Sequence, residues 1–93
     1  MAQITQTENC WNISGDVVIG TVPSILVASK ALPIAANTQI DFANVSDIDT
    51  STISLILEWK RRAQKENQPI KFVNLPANLN SLTQLYGVAE LIN

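Results

Sequence analysis

Between Cys10 and Gly15 apolar and polar residues take turns, Trp11 and Ile13 alternating with Asn12 and Ser14. A period of two sends successive side chains to opposite faces, so this stretch predicts a half-buried strand. Gly15-Asp16 reads as a turn behind it, with Val17-Val18-Ile19 as a second short strand or an edge. The stretch around Ile4 carries a weaker version of the pattern and suits an extra edge strand. From Thr21 the period lengthens. Thr21 can cap a helix, Pro23 fits its first turn, and Val22, Ile25, Leu26 and Leu32 share one face before Pro33 ends or bends it.

Thr38 to Phe42 predicts the next strand, with Ile40 and Phe42 on one side and Gln39 and Asp41 on the other. A polar loop through Asn44, Ser46, Asp47 and Asp49 follows. The longest helical pattern runs from Thr50 to about Asn67, with Ile53, Ile56, Leu57 and Ala63 on one stripe. Lys60, Arg61, Arg62 and Lys65 crowd its C-terminal half, where the helix dipole favours cations. Pro69 to Val73 reads as a short central strand. Pro76 to Tyr86 reads as a helix with Leu79, Leu82 and Leu85, closed by Gly87, and Leu91-Ile92 as a last short strand. Strands alternating with helices predict an α/β fold: a partly parallel sheet, right-handed crossovers and helices mainly on one face.

Length and composition tighten this picture. Ninety-three residues make one domain, with a core too modest to divide. With 46% apolar and 15% charged residues the chain can fold rather than remain disordered. Six Lys and Arg against eight Asp and Glu give a net charge of −2, which lacks the basic excess that nucleic acid requires. The uncharged run Val17 to Ser29 is 13 residues long, short of the ~20 needed to span a bilayer. Met1 to Cys10 has no basic start for a signal sequence, so a soluble, cytosolic chain is expected.

The inventory of reactive groups is short. There is no histidine, which removes imidazole-based catalysis and most catalytic zinc sites. The single cysteine, Cys10, can form no internal disulfide. The three glycines, Gly15, Gly20 and Gly87, are scattered and build no phosphate loop. Asp47, Asp49, Ser51 and Glu58 fall at calcium-loop positions, but Thr52 occupies the place that needs glycine and the helical period begins there. The basic group at Lys60 to Lys65 is diluted by Glu58 and Glu66 and reads as a solvated face. Trp59 beside it suits core packing, or alternatively a partner surface. No enzyme activity, cofactor or metal is expected.

The densest polar feature is Asp41, Asp47, Asp49, Thr50, Ser51 and Thr52, where a strand hands over to a helix. Ligands of open α/β sheets favour such carboxyl ends of strands. The same residues would also serve as a plain helix cap, through Asp49 or Thr50.

Ile13-Ser14-Gly15, a helix, then Ile40-Asp41-Phe42 and Ile48-Asp49-Thr50-Ser51 opening an apolar helix resemble a STAS domain (sulphate transporter and anti-sigma factor antagonist). The resemblance covers about residues 11–92 and implies a four- or five-stranded mixed sheet with helices on one side. Within the family, the short single-domain form and the tail Leu82 to Val88 resemble the cytoplasmic STAS subunit of the Mla phospholipid-transport ABC system. That likeness implies a non-catalytic subunit, peripheral to the inner membrane, that binds the ATPase and supports outer-membrane lipid asymmetry. It places the partner-binding residues at Asp49, Thr50, Ser51 and Thr52, with Thr50 at the position phosphorylated in anti-sigma factor antagonists. An antagonist regulated through Thr50 is the alternative function the family implies. Thr52 stands where the family has glycine, and Val18 where many members have an acid.

Overall fold

A computed structural model describes residues 2–35 and 37–85. Its elements run β1 (Gln3–Thr7), β2 (Cys10–Val17), α1 (Val22–Ser29), β3 (Thr38–Ile48), α2 (Thr50–Lys65), β4 (Ile70–Val73) and α3 (Ala77–Leu85). The four strands form one sheet in the order β1-β2-β3-β4. The first two make an antiparallel hairpin, and β2-β3 and β3-β4 pair in parallel. The sheet is therefore mixed, as the alternating pattern predicted.

Two boundaries differ from the sequence reading, for one shared reason. Gly15-Asp16 is no turn: β2 continues through it to Val17, and the polar stretch after Phe42 is strand as far as Ile48. The β2–β3 register shifts twice, between Asn12 and Ser14 and between Gly15 and Asp16. At each shift β3 advances one residue more than β2, so β3 bulges and its period of two is interrupted. Gly15 sits at φ 85°, a left-handed conformation that glycine adopts without a steric penalty.

β4 lies at the end of the sheet among the described residues, not in its centre. The expected stop at Gly87 and strand at Leu91-Ile92 lie outside the described residues.

The core fills one face of the sheet. Trp11, Ile13, Val17, Ile40 and Phe42 are all at most 1% exposed, while Asn12, Ser14, Gln39 and Asp41 alternate onto the other face. Helix α2 buries Thr52, Ile53, Leu55, Ile56, Trp59 and Ala63. Leu57, expected inside, is only half-buried, so the stripe is rotated toward Leu55 and Trp59. Trp59 meets Trp11 edge to face at 5.7 Å between ring centroids, a geometry aromatic quadrupoles favour. Its Nε1 donates to Ser29 Oγ at 2.9 Å, which donates on to the Leu26 carbonyl at 2.7 Å.

Arg62 completes this junction. Its guanidinium donates to the Ser29 and Leu32 carbonyls at 2.9 and 2.6 Å and lies 5.6 Å from the Trp11 ring. It thus ties α2 to the last residue of α1 and to the segment just after it. Arg62 and Arg61 also pair with Glu66 and Glu58. The basic group is accordingly spent largely on the chain's own structure. Beyond the end of α2 at Lys65, Asn67 turns left-handed at φ 55°, Gln68 N–H donates to the Ala63 carbonyl and Asn67 N–H to that of Gln64. That pair of bonds is a Schellman cap.

Candidate functional site

The handover from β3 to α2 brings three of the four expected site residues to the surface. Asp49 is the N-cap of α2, with extended backbone, and forms a reciprocal capping box with Thr52. One carboxylate oxygen accepts from the Ser51 N–H at 2.9 Å and from the Ser51 hydroxyl. The other accepts from the Ile19 N–H at 2.9 Å, which ties the loop after β2 to this turn. The Ser51 hydroxyl holds the Asp49 carboxyl below its ordinary value of 3.8; burial opposes it, and the Ile19 and Ser51 amides add to the lowering.

Thr52 points inward. It is fully buried, donates to the Val17 carbonyl at 2.7 Å and accepts from the Asp49 N–H at 3.3 Å. This hydroxyl pins the helix start to the end of β2. Its side chain is an internal brace, unlike those of Asp49 and Ser51, which are half-exposed.

Thr50 is the opposite case. It occupies the first position of α2, is exposed, and its side chain makes no hydrogen bond among the described residues. The cap is made by Asp49 with Thr52, and Thr50 takes no part in it. Thr50 therefore stands at a helix N-terminus with a hydroxyl the fold does not use.

Apolar surface flanks it on both sides. Ile19, in the loop bonded to Asp49, is 76% exposed. Across the turn an open groove of about 490 Å³ runs from Ile48 and Thr50 to Asn78, Leu82 and Leu85 on α3, with Leu85 75% exposed. The contribution of Ile19 was invisible in the sequence, because it depends on a bond between residues thirty positions apart. The spacing of Leu82 and Leu85 was visible, but nothing local showed that Leu82 would be half-buried and Leu85 exposed.

The remaining candidates supply no chemistry. Asp47 lies in β3 and Glu58 in the middle of α2, so no calcium loop forms. Among the described residues no cluster of three metal-ligating side chains occurs. Burial first, then the Asp41 carboxylate, push the Cys10 thiol above 9.0, which keeps it protonated at neutral pH. No helix of the described residues is long and apolar enough to cross a membrane.

A sheet of this topology, with an aspartate-capped turn opening a long helix, defines the STAS class of domain. The chain belongs to that family: residues 2–93 match the model described as Mlab, STAS domain. No curated protein matches the sequence. Among solved structures it is similar to the anti-sigma factor antagonist SpoIIAA in its unphosphorylated form, at 16% identity and a TM-score of 0.66, covering 91% of this chain and 83% of that one. The phosphorylated form of the same Bacillus cell fate determinant gives 17% identity and 0.66, covering 97% and 86%. At these identities the likeness is one of fold.

Proposed function

We propose that the chain is a non-catalytic, cytoplasmic STAS subunit that docks on the ATPase of a phospholipid-transport ABC complex maintaining outer-membrane lipid asymmetry. Through that complex it is peripheral to the inner membrane. The observation that carries the reading is the exposed, uncommitted Thr50 on a turn whose neighbours are fixed internally and flanked by Ile19 and the α3 groove. Exposed apolar side chains around a rigid polar centre suit a protein interface. The family description supports the transport setting. A chain without histidine, and with its one thiol held protonated, offers little for catalysis.

A second reading has a specific observation in its favour. Thr50 presents a hydroxyl at a helix N-terminus on a fold like that of an antagonist known in phosphorylated and unphosphorylated forms. Phosphorylation of Thr50 by a partner kinase would then control release of an anti-sigma factor. The Asp49 carboxylate next door opposes such a phosphate electrostatically.

Affinity purification of the chain from native cells separates the two. Recovery of an ABC ATPase whose ATP turnover changes on adding the purified subunit supports the transport reading. Recovery of a serine kinase and a sigma-factor regulator, with no ATPase, would replace it with the second.

A further inference from the structure

We infer that Ile19 is the apolar anchor of the Thr50 surface, entering a socket on the partner protein that has an apolar floor and a cationic rim, and that Asp49 is its positioning residue. The inference rests on the docking function proposed above and names the chemistry of the surface that receives this turn. Ile19 stands at the tip of a loop whose backbone is held at several points. The Thr21 hydroxyl donates to the Asp16 carbonyl at 2.7 Å and accepts from the Val18 N–H at 3.0 Å. The Val18 carbonyl accepts from the Thr21 and Val22 amides, each at 2.9 Å, and the Ile19 N–H donates to Asp49 Oδ2 at 2.9 Å. A backbone so held has little left to order on binding, and a β-branched side chain has few rotamers to lose. Yet the side chain presented is 76% exposed.

The next residue clears the approach. Gly20 is exposed, does not take a left-handed φ, and a Cβ on it would meet no atom within 4 Å. The fold itself therefore has no need of glycine there. Its missing side chain leaves room for another surface to close over Ile19.

Charge identifies what covers Ile19. Val17 pairs with Ile48, so the ends of β2 and β3 bring the Ile19 loop alongside Asp47, which is exposed, and Asp49. The six Lys and Arg lie elsewhere. Lys30 follows the far end of α1, and Lys71 pairs with Gln39 near the start of β3. The other four begin at Lys60, about 15 Å along α2 from Thr50. An anionic bilayer would repel Asp47 and Asp49 as Ile19 entered it. A second copy meeting tip to tip would set these carboxylates against their own mates. A protein surface with an apolar pocket bordered by Lys or Arg complements both features. Asp49 can act through Ile19 because its oxygens have separate partners: Oδ1 caps α2 at Ser51, and Oδ2 holds the Ile19 loop. Asparagine has one amide oxygen, so Asp49→Asn cannot accept both amides.

Calorimetric titration of the purified ABC ATPase with the full chain tests this. Ile19→Ala should melt as the wild type does, because the side chain is exposed, yet raise the Kd at least about tenfold. Asp49→Asn should also weaken binding per folded molecule, but should add little in the Ile19→Ala background, since it acts through the same side chain. Asp47→Lys should weaken binding and flatten its dependence on salt. Ile19→Ala that binds as tightly as the wild type, full additivity of Asp49→Asn with Ile19→Ala, or Asp47→Lys without effect would overturn the inference and leave the docking function standing. A wild type that binds no ATPase, with Ile19 needed instead for binding to anionic vesicles or for self-association, would overturn both.

Discussion

The Asp49 carboxylate accepts the Ile19 amide at 2.9 Å with one oxygen and the Ser51 amide at 2.9 Å with the other. A single side chain thereby fixes the loop after β2 and the first turn of α2. Thr50, between these anchors, is held in place by the backbone while its own hydroxyl stays uncommitted. The turn is rigid for reasons that do not involve the residue it displays.

Removing the anchor should be felt in stability and in its pH dependence. Asp49→Ala should cost about 1–2 kcal/mol through loss of the cap. The folded-state pKa of Asp49 lies below the unfolded value near 3.8, so its ionisation stabilises the fold fully above that value. This contribution should fade as pH falls from about 4 through the lower folded-state pKa. Asp49→Asn keeps a capping oxygen but has no charge to titrate, and its stability should depend less on pH in that window. Urea titrations of both proteins at neutral and acid pH check the sign.

Thr52 should behave as a brace. Thr52→Val keeps the shape but leaves the Val17 carbonyl and the Asp49 N–H without their partner, at about 1–3 kcal/mol. Thr52→Ser retains the hydroxyl and should lose less. Partner affinity per folded molecule should be unchanged by either, which a binding titration corrected for folded fraction would show.

On the buried face of α2 the contrast lies between neighbours. Ile56 is fully buried, and Ile56→Ala should cost ~2–5 kcal/mol. Leu57→Ala, at a half-buried position, should cost clearly less. Thermal melts of the two variants give the order directly, and equal losses would mean that the helix is seated differently.

Arg62 should resist its closest substitute. Lysine cannot reproduce the fork that reaches both Ser29 and Leu32 carbonyls while covering Trp11. Arg62→Lys should therefore lose about 1–2 kcal/mol, measured by denaturant midpoint at constant slope.

The strongly periodic elements were legible in the sequence because their periodicity is local. Trp11 and Ile13 alternate into the core as read, and Asp49 lies where a cap was expected. The extension of β3 was not legible, since bulges opposite Ser14 and Gly15 break the very alternation that signals a strand. Leu55 and Trp59 displaced Leu57 from the core because Trp59 has partners in Trp11 and Ser29, both distant in sequence. The site divides in the same way. Its residues were named from the motif, but whether each faced in or out depended on Val17 and Ile19 across the turn.

The account rests most directly on Thr50, and its decisive measurement is a titration of the purified ABC ATPase with wild-type chain, Thr50→Ala and Thr50→Glu, each checked for folding by circular dichroism. Because Asp49 supplies the cap, Thr50→Ala should leave stability within about 0.5 kcal/mol of wild type. Thr50→Glu should also fold, since an acid is favoured at a helix N-terminus. Its ATPase affinity should nevertheless fall at least about tenfold, because the new charge would be desolvated at the interface without a counter-ion. Folded Thr50→Glu protein that binds the ATPase as tightly as the wild type would contradict the account, and the docking surface would then have to lie elsewhere on the chain.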